Sequence, residues 1–398
     1  MPSRFQWHPA ARAFAGREEV VRTNGPALAH IPAHPPATAL DALHQTLGSD
    51  TALCVSDTAP PNLDTLAPHQ FATLTGGSSG TPKVILRSQH SWITSFDTNA
   101  AQFSYTPDDS VAVLGALSHS LALYGVLEGL HLGLTIHALS TLKPTAQHAT
   151  LNAACCTILY TTPTLLRLLP AGKSLPHIRL ILCGGGTLSE GTRKHITTLC
   201  PNAEIHVFYG AAETSFITLS DSDTPKGSVG RPYPQVEITV RDTDATGTGT
   251  IWVRSPYLFE RYLQGDSLHT LRKDDWLTLG EIGMLDIDGY LYLKGRAGRV
   301  FNIADQTVYP EEIEAALMSF DNITQCAVLA RPDPKRSNQF ILAVEGAEDN
   351  NRRENLLTYC KTQNIITPRE IFFLDPFPNL SSGKPDLVRI AALTGCST

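Results

Sequence analysis

A nine-residue stretch of glycines and hydroxyl side chains that ends in a lysine constrains this chain more than any other feature. It runs from Thr75 to Lys83 with the sequence TGGSSGTPK, between the apolar residues 71–74 and 84–86. Glycine lets backbone N–H groups turn toward a ligand at close range, and hydroxyls and a cation add further donors. The stretch therefore predicts an ordered loop that holds an anion, most simply a polyphosphate; a flexible linker is the alternative.

Two known motifs can be tested against this loop. A Walker phosphate loop requires G-x-x-x-x-G-K-[ST], but here Thr81 and Pro82 follow the last glycine and the lysine comes three residues late. Residues 76–80 do match the nucleophile elbow G-x-S-x-G, with Ser78 as nucleophile. That motif is short and leaves Lys83 unexplained, so a serine hydrolase is kept as a secondary hypothesis.

Composition narrows the classes of partner. The net charge is −7 and no Lys/Arg-rich run is present, which argues against nucleic acid or an anionic membrane as partner. No segment has the apolar length of a transmembrane helix, and the first ten residues lack the apolar core of a secretory signal. The eight cysteines lack C-x-x-C spacing. They are therefore interpreted as reduced, mostly buried thiols of a cytoplasmic protein.

The spacing of apolar residues predicts α/β architecture from the glycine loop to about residue 226. Residues 1–68 are rich in proline and alanine and predict one short helix at 40–47. Beyond the loop, we predict strands at residues 111–114, 158–160, 179–183 and 204–208 and helices at residues 121–132, 163–169 and 189–199. Pro163 suits the first turn of its helix, and Ser189 suits an N-cap.

The last two of these strands each end in a conspicuous loop. Residues 179–183 run into Gly184-Gly185-Gly186, and residues 204–208 run into Tyr209-Gly210-Ala211-Ala212-Glu213. A strand–helix–strand unit pairs its strands in parallel, so both loops open onto one edge of the sheet, where ligands of open α/β sheets bind. Two such exits on neighbouring strands favour a ligand site over simple tight turns.

The rest of the chain predicts a β-rich subdomain and a small α+β domain. Alternating strands and the turn at Asp288-Gly289 fill residues 227–295, and residues 295–299 form a flexible, cationic joint. Beyond the joint we predict a helix opened by Pro310-Glu311-Glu312 and a hydroxyl/glycine/lysine loop, SSGK, that ends at Lys384. The domain prediction is therefore a large N-terminal α/β domain over residues 1–295 and a small C-terminal domain over residues 296–398.

Six motifs in this order resemble those of the adenylate-forming superfamily, which includes acyl- and aryl-CoA synthetases, peptide-synthetase adenylation domains and luciferases. They are TGGSSGTPK, GGG, YGAAE, LGEIGMLDIDGYLYLKGR, VYPEEIE and SSGK, and they extend over residues 71–386. The resemblance implies that a carboxylate attacks the α-phosphorus of Mg-ATP to give an acyl-adenylate and pyrophosphate. A thiol of CoA or of a carrier-protein phosphopantetheine then takes the acyl group.

The resemblance also implies roles for individual residues. Glu213 would hold Mg²⁺, Arg296 would reach the ribose or phosphates, and Lys384 would bridge the carboxylate and the α-phosphate. Because Lys384 lies on the small domain, rotation about a hinge at Gly298 could withdraw it. ATP binding is implied for Thr75, Gly76, Gly77, Ser78, Ser79, Gly80, Thr81 and Lys83 at the phosphates, for Gly184, Gly185, Gly186, Tyr209 and Gly210 at adenine, and for Glu281 at the ribose.

Several positions depart from the family pattern. Gly76 stands where Ser or Thr is usual, and Glu281 stands where the family has an aspartate. Gly298, Asn302 and Asp305 replace the usual aspartate, lysine and glycine of the hinge loop. These changes predict a weakened or specialised thioester step, and the part before the glycine loop is shorter than is usual in the family. A degenerate member that binds nucleotide or acyl ligand without thioester formation is therefore the alternative.

The acyl substrate is predicted from a segment ahead of the glycine clusters. Residues 118–120 (Ser-His-Ser) precede the helix that contains Tyr124 and resemble the His-containing segment of acyl- and aryl-acid ligases. We therefore predict substrate contacts from His119, Tyr124, Gly185 and Gly210, although His119 could equally be a core histidine. No aspartate for a substrate amine stands at Ser120. This favours an aryl or acyl carboxylic acid over an amino acid.

Overall fold

The computed structural model describes residues 4–60, 62–75, 83–304, 306–318, 320, 323–380 and 385–396. The helices in these ranges are α1 (Pro36–Thr46), α2 (Gln89–Gln102), α3 (Ser120–Leu132), α4 (Pro144–Ala153), α5 (Pro163–Leu168), α6 (Glu190–Leu199), α7 (Pro310–Leu317), α8 (Asn350–Thr362) and α9 (Leu387–Thr394).

Strands of the first part of the chain are β1 (Arg12–Ala15), β2 (Glu18–Glu19), β3 (His30–Pro32), β4 (Leu53–Ser56), β5 (Gln70–Leu74), β6 (Val84–Ser88), β7 (Ser110–Val113), β8 (Thr135–Ala138), β9 (Ile158–Thr161), β10 (Leu180–Gly184), β11 (Glu204–Ala211) and β12 (Ser215–Ser220). The later strands are β13 (Arg231–Pro232), β14 (Glu237–Arg241), β15 (Gly249–Arg254), β16 (Arg261–Gln264), β17 (Leu271–Lys273), β18 (Trp276–Thr278), β19 (Glu281–Leu285), β20 (Leu291–Arg296), β21 (Phe301–Ile303), β22 (Gln306–Val308), β23 (Cys326–Asp333), β24 (Ser337–Glu345) and β25 (Glu370–Leu374).

The largest sheet has the strand order β13-β12-β11-β10-β9-β7-β8-β1-β2 and is parallel from β11 to β1. The predicted α/β architecture is confirmed. In β10, Leu180 and Leu182 belong to one core cluster while Ile181 and Cys183 belong to another. Both faces of this strand are therefore covered, which explains its unbroken apolar sequence.

Strands β10 and β11 pair in parallel, and Gly184 lies opposite Phe208. The ends of these two strands therefore lie at the same edge of the sheet, as predicted. The predicted end of the second strand at residue 208 is wrong, because β11 continues to Ala211 by pairing with β12, and only the residues after Ala211 form the turn. Ser189 caps α6, where its Oγ accepts a hydrogen bond of 3.2 Å from the backbone N–H of Thr192. Pro163 lies in the first turn of α5, as predicted.

The front of the chain holds more structure than the predicted helix, which the structure confirms as α1. Strand β1 joins the large sheet beside β8, and β3 and β4 join a second sheet of order β16-β6-β5-β4-β3. These strands have three or four residues, too few for alternation to be recognised. Neighbouring strands, rather than local sequence, define them.

The glycine-rich stretch connects the two strands of a hairpin in the second sheet. Strands β5 and β6 are antiparallel, with Leu74 opposite Val84, and the N–H of Thr75 donates a 2.9 Å hydrogen bond to the carbonyl oxygen of Lys83. The prediction of a loop between core elements is confirmed for its two ends. Residues 76–82 lie outside the described ranges.

The predicted β-rich region and small α+β region are also present. Strands β19 and β20 form a hairpin around Asp288-Gly289, where Gly289 has a φ of +80°. Beyond it, β23, β24 and β25 form a sheet that packs with α8 and α9 through two core clusters. Helix α7 begins at Pro310 with two acidic residues in its first turn, as predicted. The eight cysteines are free thiols, and six of them are buried.

Candidate active site

The turn after β11 carries a carboxylate to the edge of the large sheet. Strand β11 returns through an antiparallel hairpin into β12, and Glu213 lies in the turn between them. A Cβ atom at Gly210 would lie 1.9 Å from the carbonyl oxygen of Ser215, so only glycine fits there. Thr214 closes the turn, where its Oγ1 accepts a 3.0 Å hydrogen bond from the N–H of Ala211. The local sequence therefore specifies where Glu213 lies.

The carboxylate of Glu213 is held by a tyrosine that also contacts Lys83. The hydroxyl of Tyr262 donates to Glu213 Oε1 at 3.0 Å, and Lys83 Nζ lies 5.1 Å from the centre of the Tyr262 ring. Burial raises the pKa of Tyr262, and the negative charge of Glu213 raises it further, so the phenol stays protonated and can donate. Within the described residues, Glu213 Oε2 accepts no hydrogen bond and is open to a ligand. Sequence analysis predicted Glu213 and Lys83 but missed Tyr262.

A fully buried arginine supports the same turn. Arg87 donates to the carbonyl oxygen of Ala212 at 2.5 Å, to Ser215 Oγ at 2.8 Å and to the carbonyl oxygen of Tyr257. Burial lowers the pKa of Arg87 to about 9, against an opposing effect from the charge of Glu213. The guanidinium therefore remains charged at neutral pH. A lone arginine in the apolar strand VILRS was a signal for this role that sequence analysis did not use.

A second cluster joins three predicted residues from three strands. The Tyr209 hydroxyl donates to Glu281 Oε2, and Arg296 Nη2 lies 3.6 Å from Glu281 Oε1. Glu281 and Arg296 lie opposite each other in the β19–β20 hairpin. Burial raises the pKa of Tyr209, with a further contribution from Glu281. The structure therefore brings these three side chains together, and their roles at adenine, ribose and phosphates stay predictions.

The triple glycine extends from the end of β10. Gly184 is buried and lies against Phe208, whose ring would be 2.1 Å from a Cβ atom at this position. Gly185 has a φ of +86°, a conformation that favours glycine, and both Gly185 and Gly186 are exposed. An open backbone surface therefore lies at the end of β10, next to the strand that carries Tyr209.

The predicted substrate segment adjoins the hairpin that carries the glycine-rich loop. His119 is exposed and precedes α3, and the hydroxyl of Ser120 donates to the carbonyl oxygen of Leu74 at 2.9 Å. The hydroxyl of Thr73 lies 3.0 Å from that of Ser120. These bonds hold the start of α3 beside the end of β5. The role of His119 in substrate binding stays a prediction.

Tyr124 lies deeper, in a buried polar network. Its hydroxyl donates to Ser95 Oγ at 2.8 Å, and its side chain is 3% exposed. In the same network, Glu128 accepts from Asn99 at 2.8 Å and from Tyr160 at 2.5 Å. Burial raises the pKa of Glu128 to about 7. Sequence analysis missed this network, and a substrate contact by Tyr124 remains a prediction.

The predicted joint at residues 295–299 makes contacts on both sides of Gly298. Before this glycine, the N–H of Ala297 donates to the carbonyl oxygen of Gly280 at 2.8 Å. After it, Arg299 pairs with Glu314 at 2.7 Å and with Glu311 at 3.2 Å, both on α7. Gly298 lies between these two anchored positions, and its role as the hinge stays a prediction.

The remaining predicted residues fall outside the described ranges. Of the site residues, these are Gly76, Gly77, Ser78, Ser79, Gly80, Thr81 and Lys384; Asp305 of the hinge loop is also outside. The described ends of the glycine-rich loop, Thr75 and Lys83, bond each other, and Lys83 lies over the ring of Tyr262, which bonds Glu213. The predicted contact between Lys384 and the reacting phosphate stays a prediction.

The chemistry of the described groups suits a metal-bound polyphosphate. Glu213 offers one open carboxylate oxygen, and Mg²⁺ is commonly bound through one or two carboxylates together with substrate phosphates. Lys83 supplies a cation over the ring of the tyrosine that bonds Glu213, while Glu281 offers acceptors for hydroxyl groups. The donor set therefore fits Mg²⁺ with a nucleotide polyphosphate.

Comparison with known families gives matches over most of the chain. The family model of AMP-binding enzymes matches residues 17–263, and that of the AMP-binding enzyme C-terminal domain matches residues 312–384. No helix within the described ranges combines the length and apolar character that crossing a membrane requires.

Individual proteins are similar over long segments. The uncharacterized acyl–CoA ligase YhfT of Bacillus subtilis is 31% identical over 344 residues, which are 83% of this chain and 70% of the relative. The 2-succinylbenzoate–CoA ligase of Lactococcus lactis is 36% identical over 226 residues, 56% of this chain and 48% of that protein. The solved structure of o-succinylbenzoate coenzyme A synthetase (MenE) from Bacillus subtilis, in complex with ATP and magnesium ion, has a TM-score of 0.69 at 23% identity. The matched region covers 79% of this chain and 68% of the MenE chain.

Proposed function

The chain belongs to the family of AMP-binding enzymes, and we propose that it adenylates an aryl or acyl carboxylic acid with Mg-ATP and passes the acyl group to a thiol. The observation that carries the proposal is that Tyr262 contacts both Glu213, from the turn after β11, and Lys83, at the end of the glycine-rich loop. A carboxylate for the metal and a cation for the phosphates therefore share one neighbouring side chain. Similarity to proteins named acyl–CoA and 2-succinylbenzoate–CoA ligases supports CoA as the acceptor.

In the first half-reaction, a carboxylate oxygen of the substrate forms a bond to the α-phosphorus of ATP. The bond from that phosphorus to the bridging oxygen breaks, and pyrophosphate leaves with that oxygen. Lys83 would stabilise charge on the β- and γ-phosphates, and Lys384 would attract the incoming carboxylate to the α-phosphate. A Mg²⁺ ion held by Glu213 would neutralise charge on the leaving group.

Nucleoside recognition would come from the second cluster. The Glu281 carboxylate would accept hydrogen bonds from the ribose hydroxyls, while Tyr209 and Arg296 hold that carboxylate in place. Adenine would lie between the Tyr209 ring and the backbone of Gly184–Gly186, where Gly185 and Gly186 are exposed. Glutamate is one methylene longer than the aspartate usual in the family, and its two partners would compensate by fixing its position.

In the second half-reaction, the sulfur of the thiol attacks the acyl carbon and AMP leaves with the oxygen that bonded it. The thiol proton goes to solvent. A carrier-protein phosphopantetheine is the alternative acceptor to CoA. We expect this step to be slower than adenylation, because the loop that meets pantetheine departs from the family pattern at Gly298, Asn302 and Asp305.

Exchange of labelled pyrophosphate into ATP, measured over a panel of aryl, acyl and amino acids, tests the proposal. We expect exchange that depends on an aryl or acyl acid and on Mg²⁺. Lys384→Ala should reduce it by at least about 100-fold, while Lys361→Ala, on the exposed end of α8, should leave it unchanged. ATP binding without exchange for any acid would favour the degenerate member. Unaltered exchange in Lys384→Ala would remove that lysine from the mechanism.

The acceptor requires a separate measurement in the same preparation. Acyl-adenylate formation is compared with acyl transfer to free CoA and to a phosphopantetheinylated carrier protein. We expect transfer to CoA at a rate below that of adenylation. Transfer to CoA as fast as adenylation would show that the altered hinge loop does not weaken the thioester step.

A further inference from the structure

One tyrosine outside the predicted site contacts both charged groups on which the proposed function depends. Tyr262 bonds the Glu213 carboxylate through its hydroxyl and lies beneath the Lys83 ammonium with its ring. We propose that Tyr262 is a positioning residue that fixes Glu213 and Lys83 relative to each other, so that metal and polyphosphate are bound together. This role rests on the proposed function, because it assigns the two groups to a metal ion and to phosphates.

The position of Tyr262 results from a strand that changes sheets. Strand β16 follows β15 of the β-rich region, but it pairs with β6, the strand that returns from the glycine-rich loop. Tyr262 lies opposite Ile85, and the register shifts between Tyr262 and Gln264. The strand therefore connects the β-rich region directly to the hairpin that carries Lys83.

The two neighbours of the Tyr262 hydroxyl determine which hydrogen bond it donates and which it accepts. It lies 3.0 Å from Glu213 Oε1 and 3.0 Å from Thr270 Oγ1. A phenol carries one proton, and the carboxylate can only accept, so Tyr262 donates to Glu213 and accepts from Thr270. Glu213 Oε1 is thereby fixed, and Oε2 is left for a cation.

The ring of Tyr262 supports the lysine. Lys83 Nζ lies 5.1 Å from the ring centre, within the range of a cation–π interaction. The ring is itself packed edge-on against Phe259 at 5.0 Å. Gly265, with a φ of +78°, passes so close that a Cβ atom there would lie 2.8 Å from Lys83 Cγ. Ring and backbone together restrict the lysine side chain.

Two substitutions separate the two functions of this side chain. Tyr262→Phe removes the hydroxyl and keeps the ring, whereas Tyr262→Leu removes both. Calorimetric titration of ATP into the full-length protein, at a series of free Mg²⁺ concentrations and in EDTA, reports metal and nucleotide binding without turnover. Tyr262→Phe should raise the Mg²⁺ concentration for half-maximal ATP binding about tenfold, the size of one lost hydrogen bond to a charged group. Its ATP affinity in EDTA should stay within about twofold of the original.

The second variant and a control complete the experiment. Tyr262→Leu should in addition weaken ATP binding in EDTA by about threefold or more, because Lys83 loses its ring contact. Tyr290→Phe, at a buried tyrosine whose ring lies under Arg231, should change neither quantity. Thermal melting of each variant verifies the fold.

The outcomes separate this role from the proposed function. An unchanged Mg²⁺ midpoint in Tyr262→Phe, in a protein whose parent binds Mg-ATP, would overturn the positioning role and leave the proposed function intact. Equal weakening with and without Mg²⁺ would also overturn it, because a general loss of structure would have that effect. A parent protein that binds no ATP at any Mg²⁺ concentration would overturn both.

Discussion

Two buried glutamates, each bonded to tyrosine hydroxyl groups, have opposite surroundings in this molecule. Glu128 is fully buried on α3, and both of its oxygens accept short hydrogen bonds, from Asn99 and Tyr160. None of the described residues forms an ion pair with it. Glu213 accepts one such bond, from Tyr262, and has Arg87 behind its turn and Lys83 beyond the tyrosine ring.

This difference indicates what each carboxylate can do. A buried carboxylate with no cation nearby is costly to ionise. Burial raises the pKa of Glu128 to about 7, although the hydrogen bonds that it accepts oppose this rise. Such a group stabilises one packing of the core but has no place for a ligand. Glu213 Oε2 accepts no hydrogen bond from a described residue, and its surroundings include two cations, Arg87 behind its turn and Lys83 beyond the tyrosine ring. A metal ion that carries phosphates can therefore bind to this oxygen. A carboxylate oxygen that lacks a hydrogen bond and lies near cations therefore indicates a ligand site better than the burial of the carboxylate does.

The strongest test of this comparison is removal of the buried cation behind Glu213. Arg87→Met leaves the carbonyl oxygens of Ala212 and Tyr257 without a donor, and each unsatisfied buried acceptor costs about 1–3 kcal/mol. We expect the free energy of unfolding to fall by about 3–5 kcal/mol and ATP binding to be lost, as measured by urea denaturation and calorimetry.

Arg241→Met is the matched control for Arg87→Met. Arg241 also lies on a strand but stacks on the rings of Trp252 and Trp276. Its loss should cost about 1 kcal/mol or less. An Arg87→Met protein as stable as this control would show that the turn holding Glu213 is positioned by its own backbone.

The second test exchanges each glutamate for its neutral isostere. Glu213→Gln should reduce pyrophosphate exchange by about 100- to 1,000-fold, the usual effect of losing one preorganised electrostatic contact, while its melting temperature changes little. Glu128→Gln should leave exchange within about threefold of the original. Equal losses of exchange in both variants would end the distinction between a site carboxylate and a core carboxylate.

Sequence analysis predicted the part of this picture that depends on local patterns. Short motifs predicted three parts of the site. These are the strand ends at Gly184–Gly186 and Tyr209–Glu213, the hairpin that contains Glu281 and Arg296, and the loop that ends in Lys83. Where those motifs meet in space follows from parallel pairing of β10 and β11, which the helix between them implies.

The residues that were missed act over long sequence separations. Arg87 donates to Ala212, 125 residues away, and to Tyr257, 170 residues away. Tyr262 reaches Glu213 only because β16 leaves its own sheet to pair with β6. No local period or motif encodes such pairing. The lone arginine in an apolar strand indicated only that a buried cation needs partners, and the lone tyrosine gave no signal until the sheets were assembled. The short strands of the first 68 residues escaped for the same reason.

The third test uses pH to examine the core glutamate. Because the pKa of Glu128 is raised to about 7 in the folded protein, the folded state binds its proton more tightly than the unfolded chain does. The stability from the neutral carboxyl group is therefore present below the unfolded pKa and is lost as the pH rises through about 7. From pH 5 to pH 8, the original protein should lose about 3 kcal/mol relative to Glu128→Gln.

Urea denaturation of both proteins at several pH values measures this loss. The midpoint for Glu128→Gln should fall less than that of the original protein between pH 5 and pH 8. Parallel pH dependence of the two midpoints would mean that Glu128 is ionised in the folded state, and the contrast with Glu213 would then rest on geometry alone.

The smallest expected effect comes from removing one tyrosine hydroxyl in each region. Tyr209→Phe frees the Glu281 carboxylate, and we expect ATP to bind about three- to tenfold more weakly, in line with one lost hydrogen bond. Tyr160→Phe should leave ATP binding unchanged and lower the free energy of unfolding by about 1 kcal/mol. If Tyr209 acts through Glu281 at the ribose, the weakening should disappear with 2′,3′-dideoxy-ATP, which has no hydroxyl groups for that carboxylate. An equal weakening with both nucleotides would instead assign Tyr209 to the adenine ring alone.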